Sequence, residues 1–270
     1  MMKLEGKVAI VTGGGGGIGA GIAEAFVENG MKVVVSDINF DYAKAEAARI
    51  GGDSIALPHD VTSLASWAEV REAALRAFGQ VDVLCNNAGI STRRMLLDEI
   101  PPESFAAVLS VNVTGVYNGI KTFVPDMRAR RSGHVVNVSS MNGLLSHQTY
   151  ATYSASKFAV TALSEALRGE LAPFNVGVSA LFPGLTRSRM SLDPEKGAAP
   201  DIPDPRVLAS NMMEPIWLGR SVVKAILANE LYVISHPGHK EHLVARYRAL
   251  LDSFREPSQP DYHPLPMRPS

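Results

Sequence analysis

A chain of 270 residues, 46% hydrophobic and 20% charged, is long enough to bury most of its apolar surface in one α/β domain without disulfides or metals. Its formal charge of -1 supplies no basic excess for nucleic acid or an anionic membrane, and no apolar run is long enough to cross a bilayer. The single cysteine, Cys85, excludes an intramolecular disulfide. Together with the absence of a signal-peptide pattern, this points to a reducing cytoplasm. His and Cys do not cluster at metal-ligand spacing, so no metal site is expected.

Strand-like and helix-like segments alternate along the chain. Val8-Ala9-Ile10-Val11 is a short β-branched run ended by glycines, 18–29 reads as a helix stopped by Gly30, and Val33-Val34-Val35 is a second strand. Further apolar runs follow at 55–57, 81–84, 135–138, 176–181 and 232–234, and Cys85 adjoins one of them as a small buried hydrophobe. These runs are continuous rather than alternating, as parallel strands covered on both faces require. Helical patterns occupy 63–78, 103–131, 154–172 and 220–229. The expected fold is a single-domain, doubly wound parallel α/β sheet of Rossmann type over 1–254, with helices on both faces. Residues 187–215 hold Pro194, Pro200, Pro203, Pro205 and Pro215 and are expected to form a substrate lid. An amphipathic helix is expected at 239–254, followed by a flexible proline-rich tail at 255–270.

Thr12-Gly13-Gly14-Gly15-Gly16-Gly17-Ile18-Gly19 lies between the first strand and the first helix. Glycines permit φ > 0 and close approach to a pyrophosphate, whose charge the free N–H groups of the next helix favour. Asp37 ends the second strand 18 residues after Gly19. A carboxylate there accepts both adenosine ribose hydroxyls and repels a 2′-phosphate. No Lys or Arg stands among the glycines or directly after Asp37, so the expected cofactor is NAD rather than NADP.

The spacing T-G-x-x-x-G-I-G resembles that of the short-chain dehydrogenase/reductase family, and the resemblance runs from about Lys7 to Ile234. Asp60-Val61 matches the family's adenine contact. Asn86-Asn87-Ala88-Gly89 matches the motif that supports the central sheet and flanks the adenosine. Pro183-Gly184-Leu185-Thr186, with Ser188, matches the segment that holds the nicotinamide carboxamide. The resemblance thus implies cofactor contacts at Gly13, Gly17, Ile18, Gly19, Asp37, Asp60, Val61, Asn87, Ala88, Gly89, Tyr153, Lys157 and residues 183–186 and 188.

Oxidising a secondary alcohol needs a base for the hydroxyl proton, and a free tyrosine with a pKa of about 10 is a poor one at neutral pH. A cation nearby favours the phenolate, and a lysine at i+4 shares the helix face. The chain holds two such pairs, Tyr117/Lys121 and Tyr153/Lys157. The first lies inside a long helix, with Tyr117 read as a packing residue and Lys121 as a solvated one. The second opens a helix 13 residues after Ser140, at the end of a strand. Tyr150 has no lysine four residues on. The resemblance assigns Tyr153 as general acid/base and Lys157 as the residue that lowers its pKa and binds the nicotinamide ribose. It gives Ser140, in preference to Ser139, the hydrogen bond to the substrate oxygen, and Asn112 the anchoring of a water that leads to the lysine. Asn112 also reads as a helix-kink or capping residue.

The expected rim of the substrate pocket is 91–97, 141–148 and 187–213, with Met95, Met141, His147 and Met190 as contacts. Its methionines and leucines suit a bulky apolar substrate. Arg93, Arg94, Arg187 and Arg189 are available for a polar or anionic end, although surface arginines are the commoner case. The stretches 122–127, 213–215 and 231–237 look similar to bacterial Cα-dehydrogenases of lignin-derived aryl ethers, which suggests a large aromatic secondary alcohol. Two other readings compete. A ketoacyl-carrier-protein reductase of the same fold would want NADPH, against which Asp37 argues. A non-catalytic cofactor sensor tends to lose the tyrosine or the lysine, and this chain has both.

The helices at 103–131 and 154–172 carry apolar residues on more than one face, among them Val108, Ile120, Phe158 and Leu163. The last helix carries Leu243, Tyr247, Leu250, Leu251 and Phe254. A homotetramer is expected, with this helix docked at a subunit boundary; the alternative is a helix folded back on its own subunit.

Overall fold

The computed structural model describes residues 3–192 and 210–255. Seven strands form one parallel sheet: β1 Val8–Thr12, β2 Lys32–Asp37, β3 Ser54–Pro58, β4 Val83–Asn86, β5 Gly133–Val138, β6 Val176–Phe182 and β7 Tyr232–Ile234. Their spatial order is β3-β2-β1-β4-β5-β6-β7. The doubly wound arrangement read from the sequence is therefore the one observed.

Successive residues of each strand enter two different cores. Ala9, Val11, Val33, Val35, Val83, Cys85, Val136 and Val138 face α1 Gly17–Glu28, α2 Phe40–Ile50 and the later helix Pro215–Ala228. Val8, Ile10, Val34, Leu84, Val135 and Val178 face α3 Leu64–Phe78 and the helices Gly115–Ala129 and Ala151–Leu171. Both faces are covered, which is why the strands read as unbroken apolar runs. Cys85 is fully buried, and burial pushes its thiol pKa far up, so it serves as a small hydrophobe. Helices α1 and Pro215–Ala228 cross through glycines. A Cβ on Gly219 would overlap the Gly21 carbonyl oxygen, so a larger residue would force the helices apart.

Several boundaries differ from the sequence reading. Strand β4 begins at Val83, and Asp82, buried at its entrance, accepts hydrogen bonds from the Val8 amide at 3.0 Å and from Lys7 Nζ at 3.2 Å. The sequence reading contains no helix at α2, whose buried residues are only Ala43 and Ala47. The expected helix at 103–131 is α4 Pro102–Leu109, a π turn at Ser110–Thr114, and α5 Gly115–Ala129. Next come α6 Ala151–Leu171, the short α7 Arg189–Leu192, α8 Pro215–Ala228 and α9 Lys240–Asp252. Most of the expected lid, 193–209, lies outside the described residues, as does the tail beyond Arg255.

Helix α9 touches its own subunit through Leu243, which packs on the small core of Met141, Leu144, Ala180 and Phe182, and through Arg246, stacked on Phe158 at 5.2 Å. Val244, Tyr247, Leu250, Leu251 and Phe254 are exposed on the single chain. No described helix is long and apolar enough to cross a membrane, and no group of three or more metal-ligating side chains occurs among the described residues.

Candidate active site

The sheet order reverses between β1 and β4, and the crevice at the carboxyl ends of strands around such a point is where α/β sheets bind ligands. The glycine loop leaves β1 there. Gly13 and Gly17 take φ of 61° and 55°. Thr12 Oγ1 accepts the amides of Asn87 and Ala88, both at 3.0 Å, and Asn87 Nδ2 donates back to Thr12 O at 2.8 Å and to Gly13 O at 3.1 Å. The loop and the Asn86–Gly89 turn are thus one hydrogen-bonded unit. A Cβ on Gly19 would overlap the Gly13 carbonyl and the Asn87 amide, so this position admits only glycine.

The donor set fits a dinucleotide. Helix α1 starts at Gly16 with no side-chain cap, which leaves its first N–H groups to an anion. Asp37 is buried at the end of β2. Its Oδ2 accepts the Gly15 amide at 3.1 Å and its Oδ1 the Asn39 amide at 2.9 Å, so the carboxylate is already oriented beside the loop. Asp60 is exposed and folds onto Thr62. The carbonyl of the buried Val61 takes hydrogen bonds from Trp67 Nε1 at 2.9 Å and Asn118 Nδ2 at 3.1 Å. Gly89 lies between Asn112 and Lys157: a Cβ there would sit 3.3 Å from Asn112 Oδ1 and 3.5 Å from Lys157 Nζ.

The segment after β6 is held from three sides. Pro183 O accepts the Met141 amide at 2.9 Å, Met213 N donates to Leu185 O at 3.1 Å, and Gly184 N donates to His236 Nδ1 at 3.0 Å. Burial lowers the His236 pKa and so favours the neutral ring that can accept this bond. Ser188 and Thr186 are joined through Ser191, whose Oγ donates to Thr186 O at 2.7 Å. His236 went unassigned in the sequence reading, although it lies in the 231–237 stretch whose likeness was noted there.

Ser140, Tyr153 and Lys157 converge at the end of β5 and the start of α6. The Ser140 hydroxyl opposes the upward shift of the Tyr153 pKa, and its Oγ accepts the Asn142 amide at 3.1 Å. Ser139 instead donates to Lys157 O at 2.9 Å and contacts Thr161, which ties β5 to α6. Lys157 Nζ lies 5.6 Å from the Tyr153 ring centre and donates to Val138 O at 2.8 Å. Burial dominates both titrations: Tyr153 is pushed up to about 12, with Ser140 opposing, and Lys157 down to about 8. The sequence reading expected Lys157 to depress the tyrosine. Among the protein's own groups desolvation is the larger effect, and it holds Tyr153 as a neutral phenol.

Asn112 is fully buried in the π turn. Its Nδ2 donates to Ile90 O and Ser156 Oγ, each at 2.9 Å, and its Oδ1 accepts the Ile90 amide at 2.8 Å. Ser156 Oγ in turn donates to Tyr153 O at 2.7 Å. These bonds tie the loop after β4 to the first turn of α6 and explain why the helix must be offset at this residue.

The second pair, Tyr117 and Lys121, is exposed on α5 of the single chain. Tyr150, set aside for want of a lysine, has its ring 6.4 Å from that of Tyr153, and its hydroxyl takes a hydrogen bond from Arg94 Nε at 3.0 Å. His147 meets Tyr150 edge-on at 5.6 Å, and the Met95 amide bonds Thr149 O at 3.4 Å. Met141 is turned into the core beside Phe182, so its thioether packs under the rim rather than lining it. Met190 is half-buried on α7. Arg189 leaves the expected substrate rim and reaches the glycine loop.

The profile of the short chain dehydrogenase family matches residues 7–197. The 2,5-dichloro-2,5-cyclohexadiene-1,4-diol dehydrogenase LinX of Sphingobium indicum is 38% identical over 185 residues, 67% of this chain and 74% of LinX. The 3-alpha-(or 20-beta)-hydroxysteroid dehydrogenase of Mycobacterium tuberculosis is 38% identical over 189 residues, 70% of this chain and 72% of that protein. The crystal structure of a short chain dehydrogenase/reductase from Burkholderia phymatum in complex with NAD superposes with a TM-score of 0.85 at 29% identity, covering 97% of this chain and 100% of that one. The chain belongs to the short-chain dehydrogenase family. It is an oxidoreductase that acts on CH–OH groups with NAD.

Proposed function

We propose that the protein interconverts a bulky, largely apolar or aromatic secondary alcohol and its ketone. The observation that carries this reading is the convergence of Ser140, Tyr153 and Lys157 beneath a rim built from Tyr150, His147 and Met95. The residue types at this rim, two aromatic rings and a methionine, suit a large apolar group. LinX and the hydroxysteroid dehydrogenase support it, since their names describe ring alcohols as substrates.

In this mechanism Ser140 donates a hydrogen bond to the substrate oxygen and fixes it beside the Tyr153 hydroxyl. Tyr153, protonated at neutral pH, gives its proton to that oxygen as a ketone is reduced and takes it back from the alcohol in the reverse direction. Bound NAD(H) supplies the hydride acceptor or donor. Lys157 holds the nicotinamide ribose and returns the proton to Tyr153, while Asn112 positions the first turn of α6 and anchors the water that leads to the lysine. Asp37 accepts the adenosine ribose hydroxyls and disfavours a 2′-phosphate. The remaining cofactor contacts are those named from the sequence: Gly13, Gly17, Ile18, Gly19, Asp60, Val61, Asn87 to Gly89, 183–186 and Ser188.

NADH oxidation measured against a panel of ketones tests the substrate class. Bulky aryl ketones are expected to exceed short aliphatic ones in kcat/KM by at least about tenfold, the scale that one well-filled apolar subsite provides. A preference for β-ketoacyl thioesters with NADPH would replace this reading with the ketoacyl reductase. Tight NADH binding without turnover of any ketone would replace it with the sensor.

The working assembly in this reading is a homotetramer in the cytoplasm, where a buried free thiol such as that of Cys85 stays reduced. Exposed Val244, Tyr247, Leu250, Leu251 and Phe254 on α9 support it, because such a stripe is costly to leave wet. Light scattering at micromolar concentration is expected to report four chains. A monomer would defeat the assembly. Deletion of 239–270 without effect on mass or activity would remove α9 from the interface.

A further inference from the structure

Arg189 comes from α7, 173 residues after Gly16, yet its guanidinium lies directly over the glycine loop. Its Nη1 donates to Gly15 O at 3.1 Å, and its plane stacks on the Tyr42 ring at 4.1 Å. A Cβ on Gly16 would meet Nη1 at 2.8 Å and Cζ and Nη2 at 3.1 Å, so the absence of a side chain at Gly16 gives the guanidinium its place. Asp37 lies against the same loop beside Tyr42, with its Oδ2 on the Gly15 amide. Among the described residues no carboxylate forms an ion pair with Arg189. The neighbouring arginines are paired otherwise: Arg187 with Glu214, and Arg49 with Glu24 and Glu46.

We infer that Arg189 is a coenzyme-binding residue whose guanidinium takes a phosphate oxyanion of the dinucleotide at the glycine loop. The inference rests on the loop being the dinucleotide site. The geometry suits it in three ways. Stacking on Tyr42 holds the guanidinium plane and lowers the entropy lost on binding. The carbonyl of Gly15 occupies one N–H, while the planar fork has five donors and matches an oxyanion with two of them. The first turn of α1 turns its uncapped N–H groups to the same region, so cation and helix end face one common anion. The sequence reading offered Arg189 to a polar end of the substrate. The fold instead delivers it to the glycine loop. The oxyanion has two sources, the pyrophosphate common to NAD and NADP and the 2′-phosphate of NADP alone.

Isothermal titration of wild type, Arg189→Ala and Arg189→Lys with NADH, ADP, 2′-AMP and adenosine separates them. For the pyrophosphate, Arg189→Ala is expected to weaken NADH and ADP about tenfold, the usual scale of one charge-assisted contact, with adenosine unchanged. Arg189→Lys should recover part of the loss, because it restores charge without the fork. Loss confined to 2′-AMP would assign the contact to the 2′-phosphate. Equal loss for adenosine and ADP would make the effect structural and overturn the inference, as would unchanged affinity for every phosphate ligand. Arg189 is exposed, so the alanine chain should fold. Tyr42→Leu gives an independent reading: it removes the stacking platform and should weaken the same phosphate ligand to a smaller extent.

Discussion

Tyr153→Phe is expected to lower turnover roughly 10²–10⁴-fold while NADH binds with nearly unchanged affinity, because only the proton-transferring hydroxyl is removed. The ring keeps its place beside Tyr150 and under Lys157, and one hydroxyl is lost. Stability should therefore change by only about 1 kcal/mol. Steady-state kinetics with a fluorescence titration of NADH makes the measurement, and near-normal turnover would remove Tyr153 from the chemistry. Tyr117→Phe is the matched control. Its pair with Lys121 has the same spacing, but Tyr117 is half exposed on α5, and the variant should keep full activity.

Lys157→Met separates function from stability in the opposite way. Activity should fall by at least about a hundredfold, since the other cation of α6, Arg168, lies three turns further on and is bonded to Asn229, too far to return the proton to Tyr153. Stability at pH 7 should hold or rise. Lys157 is buried and its pKa falls from 10.5 to about 8, so the folded state disfavours the charged form by about 3 kcal/mol. Methionine removes that cost but leaves Val138 O without its 2.8 Å donor, a loss of roughly 1–3 kcal/mol. The pH dependence distinguishes the two terms. A lysine whose folded pKa lies below its unfolded one gives stability that increases as pH rises from about 8 to 10.5, because only the unfolded chain still binds the proton there. Wild type should gain stability across that window and the variant should lack the gain. Thermal melts at pH 7 and above pH 9 read both. A variant that melts far lower at pH 7, with the same slope against pH, would mean that Lys157 is a structural donor first.

The elements that were legible in the sequence carry their cause within a few residues. The parallel strands announced themselves as continuous β-branched runs, and the glycine loop as a strand-to-helix turn followed by Asp37 at a second strand end. The two Y-x-x-x-K pairs were separable because only one stood at the start of a helix after a strand ending in serine. Helix α2 was missed because its covered face is Ala43 and Ala47, too small to raise an apolar periodicity, while Asn39 caps it from a turn that resembles a loop. The helix-kink reading of Asn112 marked the place of the π turn but not its form, whose cause is remote: Asn112 satisfies Ile90 and Ser156 at once.

By itself the sequence determined the sheet, the order of its motifs, a carboxylate at the end of β2 beside the glycine loop, and a tyrosine–lysine pair at the start of α6. These follow from local propensity, apolar period and helix spacing, which act over one element or one turn. Only the tertiary structure decided which long-range partners surround them. It set His236 on the Gly184 amide, Tyr150 and Arg94 beside Tyr153, and Arg189 on the glycine loop. It also shifts the titration of Tyr153 and Lys157. A lysine one helical turn away argues for a depressed tyrosine, but Lys157 is buried and Tyr153 half-buried by elements distant in the chain, and desolvation moves the tyrosine up and the lysine down. Burial is a property of everything packed around a group, so no window of sequence around Tyr153 contains it.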